Sequence, residues 1–280
     1  MNRSFFFILI FLFIAIIASA QPDAIDEIDT DRPDQTESPV TILRKWMQVE
    51  HGFALEKDNQ LSVYGSSTLL RYGLVKNVEL RLEADFIYTP SNKFFPGHTE
   101  LLPIILGTKI SLWEERKWIP KTSLLVHAGL PFLAAKSFKN FDVQPGVRFT
   151  FQNNLSQVVS WGYNAGIEWD GENSNPYYLY TFSNGINLSK SLYGFLELFG
   201  SLNKDELPRH NFDAGLSLSV SDDCKVDISS AIGLTKTAPD WSIAIGMSVR
   251  FKTYSTGKVK KSSNLNNSAN KLYGNMTAGN

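Results

Sequence analysis

Residues 78–86, VELRLEADF, alternate strictly between apolar and charged side chains. Because successive side chains of a β-strand point to opposite faces, this pattern predicts a strand with one apolar face and one charged face. The apolar positions are Val78, Leu80, Leu82, Ala84 and Phe86, and the charged positions are Glu79, Arg81, Glu83 and Asp85. The alternation recurs along the chain, so an all-β fold is predicted. Its apolar faces either meet in a soluble sandwich or face lipid around a wet interior.

The alternation predicts about twelve strands between residues 46 and 251. The predicted segments are 46–55, 61–74, 78–88, 101–113, 122–130, 142–152, 158–170, 177–188, 192–202, 212–220, 226–234 and 241–251. Most are longer than the usual soluble strand of about 5–6 residues and match the about 9–11 residues that a tilted strand needs to cross a bilayer. Strand length therefore favours a membrane barrel over a sandwich.

Connection lengths and aromatic residues favour the same architecture. Long, charged connections such as 89–100 and 131–141 alternate with tight turns such as 75–77 and 189–191, although 114–120 departs from this rhythm. Bacterial barrels join short periplasmic turns with longer extracellular loops and carry aromatic girdles at both interfaces. The six tryptophans lie at or near segment ends, at Trp46, Trp113, Trp118, Trp161, Trp169 and Trp241. We predict a closed antiparallel transmembrane β-barrel over residues 46–251.

The regions that flank the predicted barrel have different compositions. Residues 1–20 are predicted to be a signal peptide, with Arg3, an apolar run and the small residues Ala18-Ser19-Ala20 before Gln21. Residues 21–45 are acidic and contain three prolines, and we expect an irregular periplasmic segment. Residues 252–280 are rich in Ser, Asn, Gly and Lys and are predicted to be a disordered polar tail. Export to the outer membrane of a Gram-negative cell follows from the signal peptide and the barrel together.

Composition excludes several classes of protein. Removal of residues 1–20 takes Arg3 away and changes the formal net charge from −1 to −2, which leaves no basic field for nucleic acid. The mature chain has no stretch of about 18 apolar residues, so a helical membrane protein is excluded. Cys224 is the single cysteine, and no intramolecular disulfide is possible. The four histidines are scattered, and we expect neither a metal nor a cofactor.

The stretch Thr30–Pro39, TDRPDQTESP, resembles the mature N-terminus of a family of Gram-negative outer-membrane β-barrels assigned to transport in the MetA pathway of phenol degradation. Further similarity lies in residues 48–53, 70–74, 79–81 and 197–200 and in Lys109, and it covers most of residues 30–251. The resemblance implies a closed barrel that moves small, often hydrophobic, molecules across the outer membrane. Barrels of this kind usually end on an aromatic residue. Phe251 fits that place, but 29 residues follow it.

Strand alternation assigns a set of charged side chains to the barrel lumen. The predicted lumen-lining residues are Glu50, Arg71, Glu79, Arg81, Glu83, Asp85, Lys109, Arg148, Glu168, Asp170, Glu197, Asp213, Asp227 and Arg250. Because acids outnumber bases, they predict a polar pore with a cation-leaning field. The alternative is that these charges pair across strands and fill an interior only modestly wider than that of an eight-stranded barrel.

The acidic segment 21–45 has two possible positions. It could fold into the lumen, but its seven acids would then face a net-acidic wall, and Arg32 alone offers a favourable anchor. We therefore expect it to extend from the barrel into the periplasm. Calcium binding is not expected, because the segment has no Asp-x-Asp-x-Asp-Gly loop.

Three functions follow from these predictions. The first is a passive channel or transporter for small molecules, including hydrophobic or aromatic ones, with outer-membrane lipid around it and the barrel-assembly machinery as its partner during insertion. The second is a non-conducting structural or adhesion barrel. The third is a surface lipid-modifying enzyme, which needs a serine and a histidine within hydrogen-bond reach. His51 has no serine beside it on its face, His98 and His210 lie in predicted loops, and His127 points to the lumen, so we expect no enzyme.

Overall fold

Thirteen antiparallel strands form one sheet in the computed structural model, which describes residues 27–58, 61–91 and 96–253. The strands are β1 Trp46–Asp58, β2 Leu61–Val75, β3 Val78–Thr89, β4 His98–Leu101, β5 Ile104–Trp113, β6 Lys121–Leu130, β7 Gln144–Asn154, β8 Val159–Glu168, β9 Tyr177–Asn187, β10 Leu192–Leu202, β11 Arg209–Ser221, β12 Cys224–Gly233 and β13 Trp241–Lys252. Two short 3₁₀ turns, Pro131–Leu133 and Lys136–Phe138, lie between β6 and β7. Among the described residues, no helix has the length and apolar character of a membrane span.

The sheet closes because β1 pairs with both β2 and β13. Its pairing with β13 runs over twelve residue pairs from Trp46–Lys252 to Lys57–Trp241, and its pairing with β2 covers most of the same strand. Twelve strands therefore form a ring, and the short β4 pairs with the last part of β3 beside it. The predicted twelve-stranded antiparallel barrel is confirmed.

The single predicted strand at 101–113 is divided in two. Its start belongs to β4, which pairs with Phe86–Thr89 of β3, and its main part is β5, which pairs with Val78–Glu83. Leu102 and Pro103 separate the two strands. Since proline has no backbone N–H to donate, the strand breaks at this position.

Apolar side chains cover the outside of the ring and polar side chains line its inside. Leu80, Phe149 and Ile245 are exposed, whereas their neighbours in the alternation, Glu79 and Thr150, are buried. This is the reverse of a soluble protein and the arrangement of a membrane barrel, in which the apolar band faces acyl chains.

The two ends of the barrel differ in their connections. One end, here called the turn end, carries the tight connections Lys76–Asn77 and Asp222–Asp223 and the point where the chain enters β1. The opposite end, here called the loop end, carries the longer connections, such as residues 131–143. Residues 114–120 lie at the turn end and are the exception that the sequence indicated.

The flanking regions are described only in part. The predicted signal peptide, residues 1–20, lies outside the described residues, as do residues 254–280 of the predicted tail. The tail was predicted from residue 252, but Lys252 ends β13, and the Thr253 backbone N–H donates to Lys45 O at 2.8 Å.

Candidate functional site: a polypeptide segment in the barrel lumen

Residues 27–45, here called the lumen segment, lie inside the barrel. The expected periplasmic extension is therefore wrong for these residues, because their backbone and side chains bond to lumen side chains of many strands. The Asp31 carboxylate contacts β2, β3 and β5. The neighbouring Arg32 contacts β12, which only β1 and β13 separate from β2. Two consecutive residues thus bind different parts of the lumen wall.

Asp31 is surrounded by three cations. Lys109 Nζ lies 2.9 and 2.8 Å from its two carboxylate oxygens, Arg81 Nη1 lies 2.5 Å from Oδ2, and Arg71 Nη1 lies 3.2 Å from the same oxygen. The side chains of Arg71 and Lys109 are fully buried. Burial by itself opposes ionisation of Asp31, but the combined charges of Arg71, Lys109 and Arg81 outweigh it and hold its pKa well below the usual range.

Glu37 is the second carboxylate of the segment in this region. Its Oε2 lies 3.2 Å from Arg81 Nη2 and 3.3 Å from Lys109 Nζ, and its Oε1 lies 3.8 Å from Arg148 Nη1. Burial disfavours the charged form, but the cations around it lower the pKa of Glu37 overall. Arg71, Arg81, Lys109 and Arg148, here called the cationic wall, therefore hold two carboxylates of the lumen segment.

Lumen acids of the strands help to order the cationic wall. Glu79 accepts two hydrogen bonds from Arg71, at 2.9 and 3.0 Å, and Glu50 accepts one from Arg71 at 3.0 Å. Glu79 also accepts from the backbone N–H of Ile42, and Glu50 from that of Asp31. The strand acids thus bind the backbone of the segment while they neutralise the arginine.

Other contacts fix the middle of the segment against the opposite wall. Thr36 Oγ1 lies 2.5 Å from Glu197 Oε1 and 2.6 Å from Thr181 Oγ1. The Glu37 N–H donates to Asn164 Oδ1 at 2.7 Å, and Asn164 Nδ2 donates to Glu37 O at 3.0 Å. The segment is therefore held by specific polar contacts on both sides of the lumen.

Glycines on the lumen face leave room for the segment. Gly52 of β1 and Gly246 of β13 are paired in register, and a Cβ at either position would overlap the Arg32 guanidinium. A Cβ at Gly73 of β2 would overlap the backbone carbonyl of Leu43. The sequence analysis did not single out these glycines as contacts of the segment.

The structure brings most of the predicted lumen residues to the lumen segment. Nine of them lie at its contacts: Glu50, Arg71, Glu79, Arg81, Lys109, Arg148, Glu197, Asp227 and, through its pair with Arg148 at 2.9 Å, Glu168. Asp213 lies beside Glu197, its register partner on β11. This is a filled, ion-paired section of the lumen rather than a ring of free charges.

Four predicted residues lie elsewhere. Glu83 and Asp85 are on β3 towards the loop end, and neither has an ion pair with the described part of the segment. Arg250 donates to Asp223 at 2.8 and 2.9 Å at the turn end and lies 5.2 Å from the centre of the Trp46 ring. Asp170 is beyond the end of β8, where its carboxylate accepts hydrogen bonds from the backbone of Glu172 and Asn173.

The lumen segment separates cavities at the two ends of the barrel. A cavity of about 520 Å³ opens at the turn end, and one of about 320 Å³ lies on the loop side. Arg32, Asp34 and Glu37 line both. The loop-side cavity has an apolar patch of Leu69, Ile105 and Leu125 beside Arg81 and Arg148. A solute that crosses the lumen must pass the segment.

Each of the four histidines has a polar neighbour. His51 Nδ1 lies 2.8 Å from Thr68 Oγ1, and His210 Nδ1 lies 2.8 Å from the Tyr180 hydroxyl. His127 lies 3.7 Å from Glu168, and His98 lies 3.7 Å from Glu100. Over the described ranges, no group of three or more His, Cys, Asp or Glu residues could hold a metal ion.

Comparisons with known proteins agree with this architecture. The family described as "Putative MetA-pathway of phenol degradation" matches residues 30–251. A solved outer-membrane channel of the COG4313 group from Pseudomonas putida F1 is similar, with a TM-score of 0.58 at 9% identity over 80% of this chain and 100% of that one. The NanC porin gives a TM-score of 0.52 at 8% identity over 72% of this chain and 98% of that one. At these identities the likeness is one of fold. No curated protein matches the chain.

Proposed function

The chain belongs to the family described as "Putative MetA-pathway of phenol degradation", and we propose that it is a passive outer-membrane channel for small molecules. The family and the fold support a channel role at the outer membrane. The observation that carries the proposal is the lumen itself, which has a polar lining and cavities on both sides of the lumen segment.

The loop-side cavity supports a solute class. Its volume of about 320 Å³ is at the lower end of the range of small-molecule sites, about 300–1,000 Å³. Leu69, Ile105 and Leu125 offer a small apolar surface in a lining that is otherwise mostly charged or polar, with Arg148 and His127 among its polar groups. A small molecule with an apolar body and one polar group, such as a hydroxylated aromatic ring, fits this lining.

Conductance of the purified barrel tests the channel. We expect discrete conductance steps when the folded protein is added to a planar lipid bilayer, and uptake of small polar solutes by liposomes that contain it. Protein heated until its barrel unfolds is the control for leakage. A folded barrel that stays silent in bilayers and admits no solute into liposomes contradicts the proposal.

The solute class needs a separate measurement. Phenol added to one side of a conducting bilayer should interrupt the ion current in a concentration-dependent way, since a bound ring would occupy the loop-side cavity. Leu125→Asp, which places a charge in the apolar patch, should weaken this block. If phenol has the same effect on the variant, the assignment of the solute to this cavity is wrong.

A further inference from the structure

We propose that the lumen segment is the gate of this channel and that the contacts of Asp31 and Glu37 with the cationic wall are its latch. This inference rests on the proposed function, because a gate requires a conducting state. It assigns the closed state to the arrangement described above. In the open state the segment leaves its position, and the two carboxylates separate from Arg71, Arg81, Lys109 and Arg148.

The first argument is that the segment is not part of the barrel wall. The ring closes through β1 and β13 without it. The segment's backbone makes an isolated bridge at Arg44–Gly73 and a hydrogen bond from Ile28 N to Asp222 O, and at its end Lys45 bonds to Gly73 and Thr253. Most of its other contacts go through strand side chains. Its departure would therefore leave the hydrogen-bond ladder of the barrel intact.

The second argument is its position on the solute path. Asp31 binds β2, β3 and β5, and Thr36 binds Thr181 of β9 and Glu197 of β10, which lie across the ring from β3. The cavities on either side share Arg32, Asp34 and Glu37 as lining. The segment therefore lies across the path between the two cavities while these contacts are made.

The third argument concerns the forces that hold the segment. Ion pairs and hydrogen bonds can exchange for contacts with water that enters from the cavities on either side, whereas burial of a large apolar surface would resist separation. The buried apolar side chains of the described part of the segment are few, namely Ile28, Pro33, Pro39 and Ile42. Its attachment is thus chiefly electrostatic, which suits a reversible latch.

A disulfide tests the gate directly. The Thr36 and Thr181 hydroxyls lie 2.6 Å apart, so Thr36→Cys and Thr181→Cys bring two sulfurs close to the bonding distance of about 2.05 Å. Cys224→Ser removes the native thiol from the experiment. We expect the oxidised protein to conduct at least several-fold less than the same protein after reduction with dithiothreitol. The single variant Thr36→Cys in the same background should not respond to reduction.

A second pair of variants tests the latch without a disulfide. Asp31→Asn with Glu37→Gln should raise the open probability several-fold. The four cations of the cationic wall then interact more favourably with water than with the neutral side chains of the segment. As a control, Glu114→Gln with Glu115→Gln also removes two negative charges, but from the exposed turn 114–120, and should leave gating unchanged. Heat-dependent migration on a denaturing gel verifies that each barrel is folded.

The outcomes separate the gate from the channel. The gate is overturned, and the channel stands, if the double-cysteine protein conducts equally when oxidised and reduced. The same holds if the variant with Asp31→Asn and Glu37→Gln gates like wild type. If the protein is silent in bilayers in every redox state and in every variant, the channel itself is overturned. Reduced protein that conducts well, together with a latch variant that opens more often, supports both.

Discussion

The ammonium group of Lys109 lies within 2.9 Å of both carboxylate oxygens of Asp31, although 78 residues separate the two in the chain. Lys109 is fully buried on β5, and Asp31 belongs to a segment outside every strand. A buried lysine is costly unless it is paired. The pair therefore ties the position of the lumen segment to the stability of the barrel interior.

Asp31→Asn should destabilise the folded protein. The change removes the charge that Arg71, Arg81 and Lys109 share, and loss of one partner from a buried ion pair typically costs about 3–5 kcal/mol. Urea unfolding in lipid vesicles, followed by tryptophan fluorescence, measures the effect. Asp170→Asn is the matched control, since its carboxylate accepts hydrogen bonds from Glu172 and Asn173 at the loop end and has no ion pair among the described contacts. An equal effect of the two variants would show that the ion pairs add little.

Asp34→Asn should instead stabilise the protein at neutral pH. Burial raises the pKa of Asp34 well above its usual range, and the nearby negative charge of Glu197 raises it further. An acid whose pKa is raised by folding loses stability as the pH increases from its unfolded pKa, about 3.9, to its folded pKa. The gain from asparagine should be absent below about pH 4 and grow above it. Unfolding of both proteins between pH 3 and pH 8 measures this difference, and a gain that is largest in acid contradicts it.

The latch itself should persist in mild acid. The pKa of Asp31 is lowered by folding, so its contribution to stability is complete above its unfolded pKa, about 3.9, and is lost only as the pH falls through its folded pKa. Single-channel recording from pH 7 down to pH 5 should therefore show no rise in open probability that depends on Asp31. A rise in wild type that Asp31→Asn abolishes would mean that this carboxylate titrates normally.

Gly73→Ala should displace the end of the lumen segment. The added methyl group would overlap the carbonyls of Leu43 and Ile42, which are backbone atoms and cannot turn aside as a side chain can. Gly65→Ala on the same strand is the control, because the nearest atom to its new Cβ would be 4.0 Å away. Protease cleavage within residues 27–45 should accelerate in the first variant and not in the second. Equal protection of the two variants would contradict the close packing at Gly73.

Ile245→Arg should destabilise the barrel in lipid by about 2–4 kcal/mol, the usual cost of a charge at the bilayer midplane on the lipid face of a barrel. Ile245 is 54% exposed in the middle of β13. Ile119→Arg is the control, because this side chain is 55% exposed but lies in the turn 114–120, where a charge costs about 0–1 kcal/mol. Vesicle unfolding compares them. A similar cost at both positions would mean that Ile245 does not face the membrane core.

The position of the lumen segment shows where sequence reasoning was insufficient. Its acids were expected to be repelled, because acids outnumber bases among the lumen residues. In the folded ring, Arg71, Arg81, Lys109 and Arg148 converge on the two carboxylates of the segment, whereas Glu197, Asp213 and Asp227 lie on other strands. The net charge of the lumen residues does not tell where each charge lies, whereas the interaction energy of two charges depends on the distance between them. The motif at residues 30–39 was the available signal, since it holds the two carboxylates and Arg32.

The chain's alternation determined the strands, the faces they present and the closed barrel, because side-chain direction in a strand depends only on position along the chain. Those local rules also assigned the charged residues to the lumen side. The partner of each charge was decided by the tertiary structure, since Asp31 meets Lys109 and Arg32 meets Asp227 only after strands distant in sequence are set side by side around one axis. Whether the interior is open or filled is therefore a property of the closed ring and of the segment that enters it.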